Sequence, residues 1–319
     1  MRAVVVEQFG PPSVARIAEV PVPPVGPGQV RVAVASAAIN PVDLVTRRGA
    51  LHEAGLHDAA PVRLGWDVAG TVTAVGAGVR RLREGQRVIG LSDRLSAPSK
   101  THADQVLLDE TAVAAVDEHA DLISFGALPL AGLTAWQALD LAHVGAGSTL
   151  LVTGAAGRVG STALQLALLR GANVLGAGRT GHRPLVEATG ATFVDAAGLA
   201  EHVRDVVPGG VDAAIDAAAL GAASLDAVRS GGRHVSLVVT ESPAPLRGVA
   251  SSSLAVRADW QQLALVSHLA STGALRLPQV TTIGLDDAVA AYAQAEKADG
   301  ARYVLVPEAV ASSMDAAPL

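Results

Sequence analysis

The chain has 319 residues, 50% of them hydrophobic, with 24 lysines and arginines against 30 acids and a net charge of −6. That length accommodates two domains with separate cores, and an acidic balance without a dense basic run speaks against a nucleic-acid partner. Cysteine is absent, which removes disulfides, thiolate zinc sites and a cysteine nucleophile together.

The nine histidines lack the short paired spacing of a metal site, so no metal is expected. No apolar run reaches membrane length, and the opening AVVVE reads as a strand rather than a signal peptide. The expectation is a cytoplasmic protein with no membrane insertion.

To about residue 120 the texture is β-rich. RVAVASAAI (31–39), DVAGTVTAVG (67–76) and QRVIGL (86–91) read as short strands separated by glycine and proline signals. After the first of them, Asn40, Pro41 and Asp43 stand in the order of a helix start, as N-cap, N1 and N3.

From about 121 to 267 strands and helices alternate, which implies a parallel sheet covered on both faces. The segment opens with VGAGSTLLVTGAAGRVGSTALQLALLRGAN (144–173), where a β-rich run stops at a glycine turn. Val159, Ala163, Leu166, Ala167 and Arg170 then recur at helical spacing. NVLGAG (173–178), ATFVD (191–195), VDAAIDAAA (211–219) and GGRHVSLVV (231–239) read as further strands. The last segment holds a helix over 285–296 and a strand over 302–306, with a frayed tail after Val310.

Aligned on Gly157 and Gly160, the glycine turn fits a dinucleotide fingerprint with Ala155 in the first glycine's place. Gly157 allows close approach of a pyrophosphate, Gly160 allows tight packing of helix on strand, and the amides of Ala155, Arg158 and Val159 complete a cradle at a positive helix end. The fingerprint expects an acid for the ribose about twenty positions on. Here the second strand ends in Gly178, followed by Arg179 and Arg183 before the first acid, Glu187.

A carboxylate would repel a 2′-phosphate, whereas a guanidinium binds one through paired hydrogen bonds. The cofactor expected is therefore NADPH, with Arg179 the leading phosphate ligand and Arg183 the second. The competing readings are a structural turn and two solvated arginines. Backbone at the end of the last sheet strand, around Val238 and Val239, should approach the nicotinamide.

Several segments in order resemble the medium-chain dehydrogenase/reductase superfamily, and within it the zinc-independent quinone oxidoreductases related to zeta-crystallin. They include MRAVVVEQFGPP, AAINPVD (37–43), GWDVAGTVTAVGAGV (65–79), LPLAGLTAWQAL (128–139), the nucleotide loop, GVDAAIDAA, SGGRHVSL and ARYVLVP. The resemblance implies an α/β fold: a doubly wound Rossmann domain over 121–267, and a β-rich GroES-like catalytic domain over 1–120 and 268–319. It also implies a homodimer and an active site between the domains.

Zinc-dependent members of the superfamily use a cysteine and a His-Glu pair where this chain has Asn40 and Trp66-Asp67. By resemblance Asn40 lies near the nicotinamide, where its amide could hydrogen-bond a substrate oxygen gaining charge, and Thr134 lies close to the cofactor. Asp67 reads as a structural acid. His52 and His57 are the candidates for giving a proton.

The implied activity is NADPH-dependent hydride transfer to a small-molecule quinone or α,β-unsaturated carbonyl. Its rivals are an enoyl reductase acting on a polyketide-type intermediate and an NADPH-binding structural or sensor protein with little turnover.

Overall fold

The computed structural model describes residues 1–238, 242–297 and 300–307. The chain forms two compact units, Met1–Leu130 with Ala258–Leu319, and Ala131–Arg257. The expected tail after Val310 lies outside the described residues.

The first unit contains β1 (Arg2–Val6), β2 (Ala15–Glu19), β3 (Gln29–Ala38), α1 (Pro41–Arg48), α2 (Ala50–Glu53), β4 (Val62–Arg63), β5 (Asp67–Val75), β6 (Arg87–Leu91), β7 (Gln105–Asp109), β8 (Val113–Ala115) and α3 (Leu122–Phe125). Then α4 (Pro129–Leu141) leads into β9 (Thr149–Thr153), α5 (Arg158–Leu169), β10 (Asn173–Gly178), α6 (Arg183–Glu187), β11 (Thr192–Asp195), α7 (Leu199–Val206), β12 (Val211–Asp216), α8 (Ala222–Asp226), β13 (Val228–Ser236) and β14 (Ala250–Ser253). The first unit resumes with α9 (Trp260–Ser271), β15 (Thr281–Gly284), α10 (Ala288–Ala295) and β16 (Tyr303–Val306).

Two sheets build the first unit, one ordered β2-β1-β4 and the other β15-β16-β3-β5-β6-β8 with β7 also on β3. Alternation along β3 buries Val30, Val32 and Val34 with Val68, Val72, Val88 and Val106. Late in the chain, β16 pairs antiparallel with β3 through Val304 opposite Ala38 and Leu305 opposite Ala37.

The unit boundaries lie ten residues after position 120 and ten before 268. Helix α9 packs in the first unit, with the Arg81 guanidinium 4.0 Å from the Trp260 ring centre.

The second unit is a six-stranded sheet in the order β11-β10-β9-β12-β13-β14, and each pairing is parallel. This is the doubly wound order, with its reversal beside the first strand. Leu150, Leu151 and Val152 of β9 are all fully buried, as a central strand covered on both faces requires.

Strand β12 ends at Asp216, short of the expected 219, because the Asp216 carboxylate accepts the Leu220 and Gly221 amides at 3.1 and 2.7 Å and turns the chain. Strand β13 starts at Val228 rather than 231, since Val228 pairs with Val211 ahead of a register shift. The helix expected over 285–296 divides into a 3-10 turn, Leu285–Asp287, and α10.

Each unit contains a buried histidine. The His102 Nε2 lies 3.0 Å from the Ala38 carbonyl and Nδ1 lies 2.5 Å from the Tyr292 hydroxyl. A carbonyl only accepts, so Nε2 bears the proton and the Tyr292 hydroxyl donates to Nδ1. In the second unit, His234 Nε2 contacts Ser224 Oγ at 2.8 Å.

Burial lowers the pKa of both rings below the ordinary 6.5, against the pull of Asp43 on His102 and Asp216 on His234. The unfolded chain therefore takes up these protons first as pH falls. The contribution of these two rings is constant above about pH 6.5 and is lost progressively below it, ahead of the carboxylates, whose unfolded pKa values lie near 4. The expected outcome in urea titrations is a lower midpoint at pH 5 than at pH 7.5, with the slope reduced in His234→Asn. A flat dependence over that range would contradict it.

Candidate active site

The nucleotide loop begins where β9 ends. Gly154 has φ +60°, a left-handed conformation, and Gly157 caps α5 with extended backbone. The Ala155 amide donates to the Ala177 carbonyl at 3.1 Å and the Gly157 amide to the Gly154 carbonyl at 2.8 Å. A Cβ on Gly160 would lie 2.2 Å from the Gly154 carbonyl oxygen, so this close approach excludes a side chain.

Ala155 is buried in the first glycine's place. Its methyl lies where a side chain on Gly176 of β10 would intrude, 3.1 Å from that position, so the glycine opposite makes room for the alanine. The helix ladder starts with the Ser161 amide on the Gly157 carbonyl. The amides of Val159 and Gly160 precede it in the first turn. The Arg158 carbonyl accepts the Thr162 hydroxyl at 3.0 Å.

Asp216 braces this turn from below by accepting the Thr153 hydroxyl at 2.5 Å. Burial alone would raise its pKa, but hydrogen bonds from Thr153, Leu220, Gly221 and Ser224 outweigh that and hold it below the ordinary value.

At the far edge of the loop, β10 ends in buried Gly178. Arg179 is exposed and has no ion-pair partner among the described residues. Arg183 pairs with Glu187 at 3.1 Å and stacks 4.4 Å from the Phe193 ring centre. The register sets Asp195 beside Gly178, so an acid stands near this strand end in space although it is absent there in sequence. Its oxygens accept the Thr180 hydroxyl at 2.7 Å and the Ala197 amide at 2.9 Å, and the Thr180 bond is the main cause holding its pKa low.

Thr134 is half-buried on α4. Val238 is 40% exposed, and its carbonyl accepts the Ser236 hydroxyl at 2.8 Å. Val239 lies outside the described residues.

In the first unit, Asn40 is buried at the start of α1. Its backbone amide donates to Asp43 Oδ2 at 2.8 Å, and its side-chain Nδ2 donates to Asp67 Oδ2 at 2.8 Å. Asp67 Oδ1 accepts the Leu130 amide at 2.5 Å, and Asp43 Oδ1 accepts the Gly65 amide at 2.8 Å. Asn40 is thus the helix start that its neighbours predict and also the partner of a buried acid.

Beside this junction, Asp43, Thr46, His57, Arg63, Trp66 and Lys100 line a closed crevice with no room for a water-sized sphere. His52 stacks on Phe9, with ring centres 5.4 Å apart. The sequence reading missed Lys100. The available signal was its rarity, for the chain contains only two lysines, at 100 and 297.

Residues 26–124 match the alcohol dehydrogenase GroES-like domain. The chain is 31% identical over 240 residues to 2-methylene-furan-3-one reductase of Solanum lycopersicum, covering 73% of this chain and 61% of that protein. It is 30% identical over 261 residues to the chloroplastic NADPH-dependent alkenal/one oxidoreductase of Arabidopsis thaliana, covering 79% of this chain and 66% of that one. The quinone oxidoreductase of Coxiella burnetii superposes with a TM-score of 0.82 at 27% identity, over 96% of this chain and 99% of its own. The chain belongs to the medium-chain dehydrogenase/reductase family.

The match to the two plant relatives thus spans about three-fifths to two-thirds of their length. In this medium-chain dehydrogenase/reductase, no group of three or more His, Cys, Asp or Glu among the described residues is placed to hold a metal ion.

Removing the Asn40 amide takes a donor from the buried Asp67 and weakens the start of α1. A lost cap costs about 1 kcal/mol and a buried acceptor stripped of its donor about 1–3 kcal/mol. Asn40→Ala is expected to lower the unfolding free energy by about 2 kcal/mol or more, read from denaturant titration. Asn40→Asp, which places a second carboxylate against Asp67, should cost more at neutral pH than at pH 4. Wild-type stability in both variants would overturn the assignment.

Proposed function

We propose that this chain is an NADPH-dependent reductase of quinones and α,β-unsaturated carbonyl compounds that works without a metal. The observation that carries the reading is the turn from Gly154 to Gly160, where a Cβ on Gly160 would collide with the Gly154 carbonyl, with uncommitted Arg179 beyond Gly178. The plant relative whose name specifies NADPH and alkenals or enones supports the same cofactor and substrate class. When bound, the nicotinamide supplies the hydride.

In this reading, Arg158, Val159 and Gly160 hold the pyrophosphate through the positive end of α5, while Ala155 and Gly157, whose amides bond the Ala177 and Gly154 carbonyls, let it approach the backbone closely. Arg179 takes the 2′-phosphate. Arg183 is the weaker ligand because Glu187 already pairs with it. Asp195 stays ionised beside Gly178, so selection of a 2′-phosphate rests on the Arg179 guanidinium. Thr134 and the Val238 backbone face the nicotinamide side, and Asn40 orients the substrate.

The metal-free character is supported by the donor set, since Asn40 and Trp66 occupy the positions where zinc-dependent relatives place ligands and the chain has no cysteine. A homodimer belongs to the same reading on the strength of family resemblance. No helix among the described residues is long and apolar enough to cross a membrane.

Charge-assisted hydrogen bonds contribute about 1.5–3 kcal/mol, so Arg179→Ala should weaken NADPH binding about tenfold or more and leave NADH binding unchanged. Dissociation constants from fluorescence titration check this, and equal NADPH affinity in the variant would overturn it. Oxidation of NADPH against a panel of quinones and enones tests the activity. Tight binding with no acceptor reduced would favour the sensor reading.

A further inference from the structure

Within the second unit, the ring of His182 lies against the end of β10. A Cβ built on Gly178 would stand 3.2 Å from His182 Nδ1, 3.3 Å from its Cβ and 3.7 Å from its Cγ. Gly178 therefore leaves open the space that the imidazole borders. In the dinucleotide fingerprint this strand end carries the acid that accepts from the ribose hydroxyl. Here an imidazole, which can donate an N–H, stands beside the place of that acceptor.

The turn that carries His182 is tied down on both sides. The His182 amide donates to the Arg179 carbonyl at 2.8 Å and closes the 3-10 turn Thr180–His182. The Thr180 hydroxyl donates to Asp195 at 2.7 Å, and α6 starts at the next residue, Arg183, with Pro184 in its first turn. A half-buried ring on a pinned turn is partly ordered before a ligand arrives, which lowers the entropic cost of binding.

The ring nitrogens of His182 make no hydrogen bond or ion pair among the described residues, and neither does the Arg179 side chain. The other charged groups at this strand end are already engaged. Arg183 pairs with Glu187 at 3.1 Å, Asp195 accepts from Thr180 and the Ala197 amide, and His202 Nδ1 lies 3.3 Å from the Asp195 carbonyl. Two uncommitted donor side chains, one following Gly178 in the chain and one folded back over it, match a phosphate, which has acceptors and no donors to spare.

We propose that His182 is a specificity-determining residue for the ribose 2′-phosphate of NADPH. Its ring N–H donates to a phosphate oxygen while Arg179 supplies the charge, and the bare edge of Gly178 gives the ring room to do so. This assignment rests on the NADPH reading and adds the residue that stands in for the missing ribose acid.

Adenosine 2′,5′-bisphosphate and adenosine 5′-monophosphate differ only in that phosphate and serve as probes in calorimetry on the full chain. The bisphosphate should bind the wild-type protein more tightly. Its advantage should fall about tenfold in His182→Leu, with monophosphate affinity unchanged. His182→Asn, which keeps a donor near the position of Nδ1, should retain most of the advantage. Gly178→Ala changes no charge and should still reduce it, because the new methyl group pushes the ring aside.

Histidine-selective carbon-13 labelling gives nine ring signals, and the one lost in His182→Asn identifies His182. In the wild-type protein that signal should move with the bisphosphate and stay in place with the monophosphate. An unmoved signal, or a bisphosphate advantage undiminished in His182→Leu, overturns the assignment and leaves the NADPH reading standing. Equal binding of the two nucleotides by the wild-type protein overturns both.

Discussion

Two fully buried carboxylates, Asp43 and Asp67, bracket Asn40, and the first unit is organised around that junction. Charged groups removed from water must be met by donors. Here the donors come from separate stretches: the Asn40 and Gly65 amides for Asp43, and the Asn40 side chain with the Leu130 amide for Asp67. Satisfying two acids therefore fixes the start of α1, the entry into β5 and the first turn of α4 together. Trp66, between Gly65 and Asp67, has its place on the crevice set by the same bonds.

The two units are packed by opposite means. In the second, the turn after β9 depends on missing side chains: a Cβ at Gly160 would collide with the Gly154 carbonyl, and Gly176 yields its space to the Ala155 methyl. What remains is backbone amide and helix polarity, which suits a phosphate. The first unit instead buries charged side chains, with Lys100 over Trp66 and Arg63 nearby.

Much of this was legible in the sequence because it is local. The strand–turn–helix at 149–169, the strand ending at Gly178 and the helix start at Asn40, Pro41 and Asp43 all depend on residues a few positions apart. Asp195 was not legible as a neighbour of Gly178, since only the parallel register of β10 and β11 brings them side by side. Lys100 meets Trp66 only after the chain has run through β5 and β6 and returned, so no spacing rule connects them. The end of β12 was misjudged for a related reason: the apolar run continues past Asp216, and it is that side chain's capture of later amides that turns the backbone.

The proposed reaction is hydride transfer to a conjugated carbon without a metal. Reduction of an α,β-unsaturated ketone with NADPH deuterated at nicotinamide C4, in the presence of a metal chelator, tests it through NMR of the product. The expected product carries deuterium on the β-carbon with the carbonyl intact. Deuterium on the carbonyl carbon of an allylic alcohol, or transfer abolished by the chelator and restored by zinc, would contradict it.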